Sequence, residues 1–89
     1  MTVSPGFDNT PLSNDPITPF YGKKPEVVDR AQGAFYQKVW AAAAESEPMW
    51  VFITTWNEWQ ENTSIEPSQL YGNTYLDLTR LAIQRWKNP

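Results

Sequence analysis

The sequence predicts an α/β fold of β-α-β-α order. Two stretches carry that expectation: residues 2–5 are β-prone, residues 49–55 form a continuous apolar run, and apolar residues at helical spacing follow each after a polar loop. The connections are also asymmetric. Long polar loops follow the strands and short returns precede the next, which is the grammar of parallel β/α units.

Each element has its own warrant. Strand 2–5 begins with Thr2-Val3-Ser4 and stops at Pro5-Gly6, a turn signal. Residues 6–24 read as a loop. They contain Phe7-Asp8-Asn9-Thr10, then Pro11, Pro16 and Pro19 and the turn-prone pair Asn14-Asp15, with no periodicity. A helix is expected over 25–45, with Pro25 in its first turn, Glu26 complementing the macrodipole, and Val27, Ala31, Phe35 and Val39 on one face beside Val28 and Ala42. Gly33 inside that helix costs about 1 kcal/mol relative to alanine, which the alanine run at 41–44 helps offset. Pro48 ends the connection. Strand 49–55, Met49-Trp50-Val51-Phe52-Ile53-Thr54-Thr55, is apolar at successive positions, as in strands buried on both faces. A polar loop over 56–70 comes next. A second helix, 73–87, has Asn73 or Thr74 as its cap and Tyr75, Leu78, Ala82 and Trp86 at helical spacing, with Leu81 and Ile83 alongside.

Two strands and two helices leave sheet edges open and a helix face short of a partner. Residues 1–89 are therefore expected to be a single partial domain, a quarter of a (β/α)8 TIM-type barrel, or else a chain that completes its sheet by self-association. In parallel β/α folds functional groups gather at the carboxyl ends of strands, so Asp8 and the Glu58/Glu61 pair belong on one face.

Composition narrows the chemistry. With 89 residues, 40% of them hydrophobic, the chain buries a smaller share of its surface than an ordinary enzyme domain. Cysteine is absent, so neither disulfides nor thiolate metal sites supplement the core. Seven basic residues against ten acidic give a net charge of -3, and the basic ones cluster no further than Lys23-Lys24, which argues against nucleic acid. The longest apolar run falls far short of the roughly 20 residues of a membrane span, and no export signal follows Met1. Compartment is not readable. Histidine is absent too, so proton transfer falls to carboxylates.

Those carboxylates stand in Trp56-Asn57-Glu58-Trp59-Gln60-Glu61. Glu58 and Glu61 are three residues apart beyond a strand, a spacing that places both on one side of a turn. Two carboxylates in one pocket divide into an ionised base and a protonated acid, as glycosidic cleavage requires. A bare E-x-x-E is more often a solvated acidic loop. Here Asn57 can hold a sugar hydroxyl, Trp56 and Trp59 bracket the glutamate, and the cluster leaves a hydrophobic strand directly. Any one tryptophan is more often packing than a platform for the C–H face of a sugar, but three of the five lie within residues 50–59. Asp8, Glu58, Glu61 and Glu66 could supply oxygen ligands to a divalent cation, but no spacing matches a calcium loop. No metal and no other cofactor is expected.

The string Thr55-Trp56-Asn57-Glu58-Trp59-Gln60-Glu61-Asn62-Thr63-Ser64-Ile65-Glu66-Pro67, with Tyr71-Gly72-Asn73-Thr74-Tyr75-Leu76 after it, resembles the closing strand and helix of glycoside hydrolase family 99 and its WbsX-like relatives, whose pattern is N-E-W-x-E-G-T-x-I-E-P. Pro5-Gly6-Phe7-Asp8-Asn9-Thr10 is similar to the family's P-G-[FWY]-D-[DN]-T motif on the preceding strand. The likeness covers essentially the whole chain and the last quarter of the family's fold. It implies the last two units of a (β/α)8 barrel acting on α-mannoside-type linkages or, in polysaccharide-biosynthesis relatives, on other glycans, with a carbohydrate as substrate. By that resemblance Glu58 is the base that draws the proton from the sugar 2-hydroxyl, and Glu61 is the general acid and later the base for water. Asp8 and Asn57 bind hydroxyls, Trp56 and Trp59 line the pocket, and Glu66 with Pro67 fixes the loop. Asn62 replaces the usual glycine, tolerably because asparagine accepts left-handed backbone. Pro11 stands where a basic residue is frequent. The 89 residues alone are expected to be inactive. The competing readings are a non-catalytic carbohydrate-binding module and a truncated piece without independent function.

Overall fold

The computed structural model describes residues 1–8 and 27–88. Within them the chain is mixed α/β, with two helices and short strands. β1 is Thr2–Val3, β2 Phe7–Asp8, β3 Val27–Val28 and β4 Phe52–Ile53; α1 is Ala34–Glu45 and α2 Thr74–Lys87. Two 3-10 turns, Ala31–Gly33 and Trp59–Glu61, precede α1 and follow β4.

The strands pair in twos. β1 and β4 are parallel, Thr2 opposite Phe52 and Val3 opposite Ile53, with the Phe52 and Thr54 amides donating to the Met1 and Val3 carbonyls, each at 2.9 Å. This is the parallel neighbour relation expected of the two apolar stretches. The first strand is shorter than 2–5, because Pro5 cannot donate to a ladder. β2 and β3 form an antiparallel pair, Phe7 opposite Val28 and Asp8 opposite Val27.

That second pair corrects the helix expected over 25–45. Val27 and Val28 lie in a strand, and α1 begins only at Ala34. Ala31, Gln32 and Gly33 have φ of 50°, 56° and 97°, left-handed backbone that no α-helix continues through. Gly33 is thus not a weak interior position but the residue that caps α1, and a Cβ there would stand 2.9 Å from the Leu78 Cδ1 of α2. Pro25 and Glu26, like the proline-rich segment before them, lie outside the described residues.

The buried face of α1 is also one position off the expected one. Tyr36, Trp40 and Ala43 face the core, while Phe35 and Val39 are half-buried and Ala42 is exposed. One residue rotates a helix by about 100°. The register follows the larger aromatic payload: Tyr36 and Trp40 bury more surface than Phe35 and Val39. The core joins these to Val3, Ile65 and Tyr75, with Ile53, Leu78, Ala82, Ile83 and Trp86 packed around it. Tyr36 and Trp40 meet edge-on at 6.3 Å, and Tyr36 tilts against Tyr75 at 5.8 Å.

One buried polar chain stitches the two helices together. The Thr79 hydroxyl donates to the Tyr75 carbonyl at 2.6 Å, leaving its oxygen to accept from the Tyr36 hydroxyl at 2.7 Å. Asn73 occupies the N-cap of α2 without capping it through its side chain. Asp77 in the first turn and Arg85 and Lys87 in the last complement the macrodipole instead.

Strand 49–55 was expected to be covered on both faces. Val51 and Ile53 pack against the core, but Met49, Trp50 and Phe52 are 88%, 70% and 64% exposed. With one partner strand and no layer beyond it among the described residues, β4 buries only its inner side.

Candidate functional site

The loop beyond β4 is closed at its base by two threonines. The Thr55 amide donates to the Thr63 carbonyl at 2.8 Å, their hydroxyls share a bond of 2.7 Å, and the Glu58 amide donates to Thr55 Oγ1 at 3.1 Å. The Ile65 amide returns to the Thr55 carbonyl at 3.0 Å and the Glu66 amide to the Trp56 carbonyl at 2.9 Å. Thr63, Ser64 and Ile65 are buried, so the downstream limb is anchored while the tip projects. Short polar side chains suit this pinch because they satisfy backbone groups at little entropic cost.

The tip carries the candidates. Trp56, Asn57, Glu58 and Trp59 are exposed, Glu61 is half-buried at the end of the second 3-10 turn, and Glu66 is half-buried beyond it. Trp56 and Trp59 stay 50% and 51% exposed, whereas Trp40 is buried in the core and Trp86 packs on it. The two loop tryptophans therefore do not serve the core. Asn62 adopts φ 52° and ψ 47°, the left-handed conformation that its replacement of glycine anticipates, and its amide closes the turn onto the Trp59 carbonyl at 3.1 Å. The peptide between Thr54 and Thr55 is cis.

Asp8 sits on β2, which packs against the second 3-10 turn, so the two strand-end motifs are neighbours. Asp8 also lines a cleft of about 560 Å³ with Arg30, Asn62, Tyr71 and Tyr75. The structure brings Asp8 together with Asn62 there. Glu58, Glu61, Trp56, Asn57 and Trp59 do not line that cleft; they stand on the adjoining loop tip. Asp8, Glu58, Glu61 and Glu66 do not gather as a cation-binding group among the described residues.

Arg30 is the residue that sequence reasoning missed. Only 5% exposed, it donates through Nη2 to the Asn62 carbonyl at 3.2 Å, Asn62 Oδ1 at 3.0 Å and the Ser64 carbonyl at 3.0 Å. Its guanidinium lies over the rings of Tyr71 and Tyr75 at 4.1 and 4.4 Å, a cation–π pair on each side of the α2 entry. Nε and Nη1 are buried without a hydrogen-bond partner. The Tyr75 phenol is pushed above its usual value of 10.0 by burial, against the opposing pull of Arg30. Tyr71 and Tyr75, four residues apart, were a legible sign of an aromatic stripe; a lone arginine in a stretch read as helix gave none.

Comparison with known proteins completes the description. Residues 1–79 match the family described as Glycosyltransferase WbsX. The uncharacterized protein WxcX of two Xanthomonas campestris pv. campestris strains is 34% identical over 83 residues, 93% of this chain and 12% of that protein. The glycoprotein endo-alpha-1,2-mannosidase of Rattus norvegicus is 36% identical over 52 residues, 55% of this chain and 11% of the rat protein. The chain thus spans about an eighth of the length of the curated relatives it matches.

Proposed function

Because the chain belongs to the WbsX glycosyltransferase family, we propose that it supplies the last two units of a glycan-processing (β/α)8 barrel and carries that barrel's two catalytic carboxylates. The observation behind this reading is the pinned, outward-facing loop at the carboxyl end of β4, next to Asp8 on β2. A loop fixed at its base and exposed at its tip can hold two glutamates toward a sugar without the core taking up their charge. The likeness to an endo-alpha-1,2-mannosidase supports an α-mannoside-type substrate.

In this reading Glu58 removes the proton of the sugar 2-hydroxyl, whose oxygen displaces the leaving group while Glu61 protonates the departing oxygen. Glu61 then deprotonates the water that opens the intermediate, and Glu58 returns its proton. Configuration is retained overall. Asn57 and Asp8 bind hydroxyls, and Trp56 and Trp59 offer ring faces to the sugar. The family's description favours a second outcome of the same chemistry, in which a sugar hydroxyl replaces water and a glycan is transferred. The exposed Met49, Trp50 and Phe52 are the surface on which further barrel units pack, so the 89 residues alone are inactive.

The test is made on the full-length protein with manno-oligosaccharides. Glu58→Gln and Glu61→Gln each lower turnover by about 10²–10⁴-fold with melting unchanged. Near-parental turnover in either variant refutes the assignment of that residue. Product analysis with and without an acceptor sugar separates hydrolysis from transfer. Titration of the isolated chain with the same sugars tests the binding-module reading, which requires saturable binding without turnover.

A further inference from the structure

We propose that Arg30 is a positioning residue for the carboxylate loop: its guanidinium sets where Glu61 stands, through Asn62, without touching substrate. The inference rests on the role of Glu61 proposed above. Asn62 directly follows Glu61, and Arg30 Nη2 grips both its carbonyl and its Oδ1, then reaches the Ser64 carbonyl on the anchored limb. Hydrogen bonds from a charged donor are stronger than neutral ones, and these three all converge on the few residues that leave Glu61.

Arg30 is itself held from both motifs. A Cβ at Gly6, in the Pro5-Gly6-Phe7-Asp8 segment, would stand 2.6 Å from Arg30 Cγ and 2.9 Å from the Val28 carbonyl oxygen, so glycine there admits the arginine stem. Tyr71 and Tyr75 hold the guanidinium on the other side. The same residue therefore spans from the strand that delivers Asp8 to the loop that delivers Glu61. For stability alone this is a poor arrangement. Nε and Nη1 are buried without partners, and an apolar side chain of the same length would fill the space without that cost. What the guanidinium adds over an apolar side chain is its cation–π contact with Tyr71 and Tyr75 and, toward the loop, the three bonds.

The experiment uses the full-length protein, with Arg30→Met, Arg30→Lys and Asn62→Gly, the last of which keeps the left-handed backbone and the carbonyl bond to Arg30 but removes the side-chain amide, and with it the Oδ1 bond to Arg30 and the 3.5 Å Nδ2 contact with the Tyr71 hydroxyl. In Arg30→Met, kcat falls about 10²-fold, as a misplacement on the order of 1 Å produces, while KM stays within about threefold. The limb of the pH–rate profile that belongs to Glu61 shifts, Arg30→Lys recovers part of kcat, and Asn62→Gly falls between. A lowered melting temperature with parental kcat and pH profile reduces Arg30 to a structural brace and overturns the proposal. If Arg30→Met does not fold, Arg30→Lys and Asn62→Gly decide on the same readouts. Glu61→Gln is measured alongside. If it is inactive while the Arg30 variants remain fully active, only this inference fails; if it is active, the two-glutamate reading fails first.

Discussion

Gly33→Ala separates two accounts of the segment before α1 by the sign of its effect. In a helix running over 25–45, alanine at this interior site would stabilise by about 1 kcal/mol. In the observed structure residue 33 has φ 97°, and the new Cβ would meet Leu78 Cδ1 at 2.9 Å. The left-handed backbone costs an L-residue about 1–2 kcal/mol. Moving the Leu78 methyl off its rotamer adds about 0.5–1.5 kcal/mol, and the stiffer unfolded chain returns about 0.4–1 kcal/mol. The net is a loss of about 0.5–3 kcal/mol, and each kcal/mol lowers the melting temperature of a domain this size by about 4–8 °C. Urea unfolding followed by circular dichroism measures it, with an unchanged denaturant slope as the check that the folded states compare. Repeating the substitution in a Leu78→Ala background removes the clash and leaves the backbone share, so the penalty falls to about 1–2 kcal/mol before the unfolded-chain return. A stabilising Gly33→Ala would refute the left-handed turn before α1 and restore the continuous helix.

Three further outcomes follow from the described contacts. Tyr36→Phe removes the donor to Thr79 while Thr79 keeps its bond to the Tyr75 carbonyl, so a urea titration shows a loss of about 0.5–1.5 kcal/mol; a loss above about 3 kcal/mol would mean that the helices depend on this bond far more than a single hydrogen bond allows. Tyr75 has a folded pKa raised above 10.0, so its share of stability is fully present below pH 10.0 and is lost as pH rises through the folded value. Melting curves across the alkaline range show that decline, and Tyr75→Phe flattens it; an unchanged decline assigns it to other groups. Phe52→Ala, at a side chain 64% exposed, leaves the isolated chain within about 0.5 kcal/mol. In the full-length protein the same change costs about 3–5 kcal/mol if barrel units cover that face, and an equal effect in both settings removes the case for a covered face.

The parts legible in the sequence are those whose signal is local. α2 begins one residue from its expected start, because the periodic apolar residues from Tyr75 onward leave no competing pattern. The left-handed turn at Asn62 followed from the residue's own tolerance, and the projecting tip followed from the abrupt polarity change after Thr55. The illegible parts depend on partners far along the chain. Val27 and Val28 fit a helical spacing, yet β-branched residues pair as readily when Phe7 and Asp8 are opposite. Tyr36 rather than Phe35 faces the core with Trp40, and its buried hydroxyl is satisfied by Thr79, 43 residues away. Arg30 carries no local signal, because what brings it inside are oxygens 32 and 34 residues downstream and the rings of Tyr71 and Tyr75 beyond them.

The pinch between Thr55 and Thr63 spans eight residues, whereas Thr2 reaches Phe52 across 50. Contacts close in sequence carry a smaller loop-closure cost than distant ones. The carboxylate loop is closed by contacts local to itself, whereas Arg30 and the β1–β4 pairing must bridge 32 and 50 residues. The form of the acidic tip is thus a local property, and its direction is a property of the whole fold.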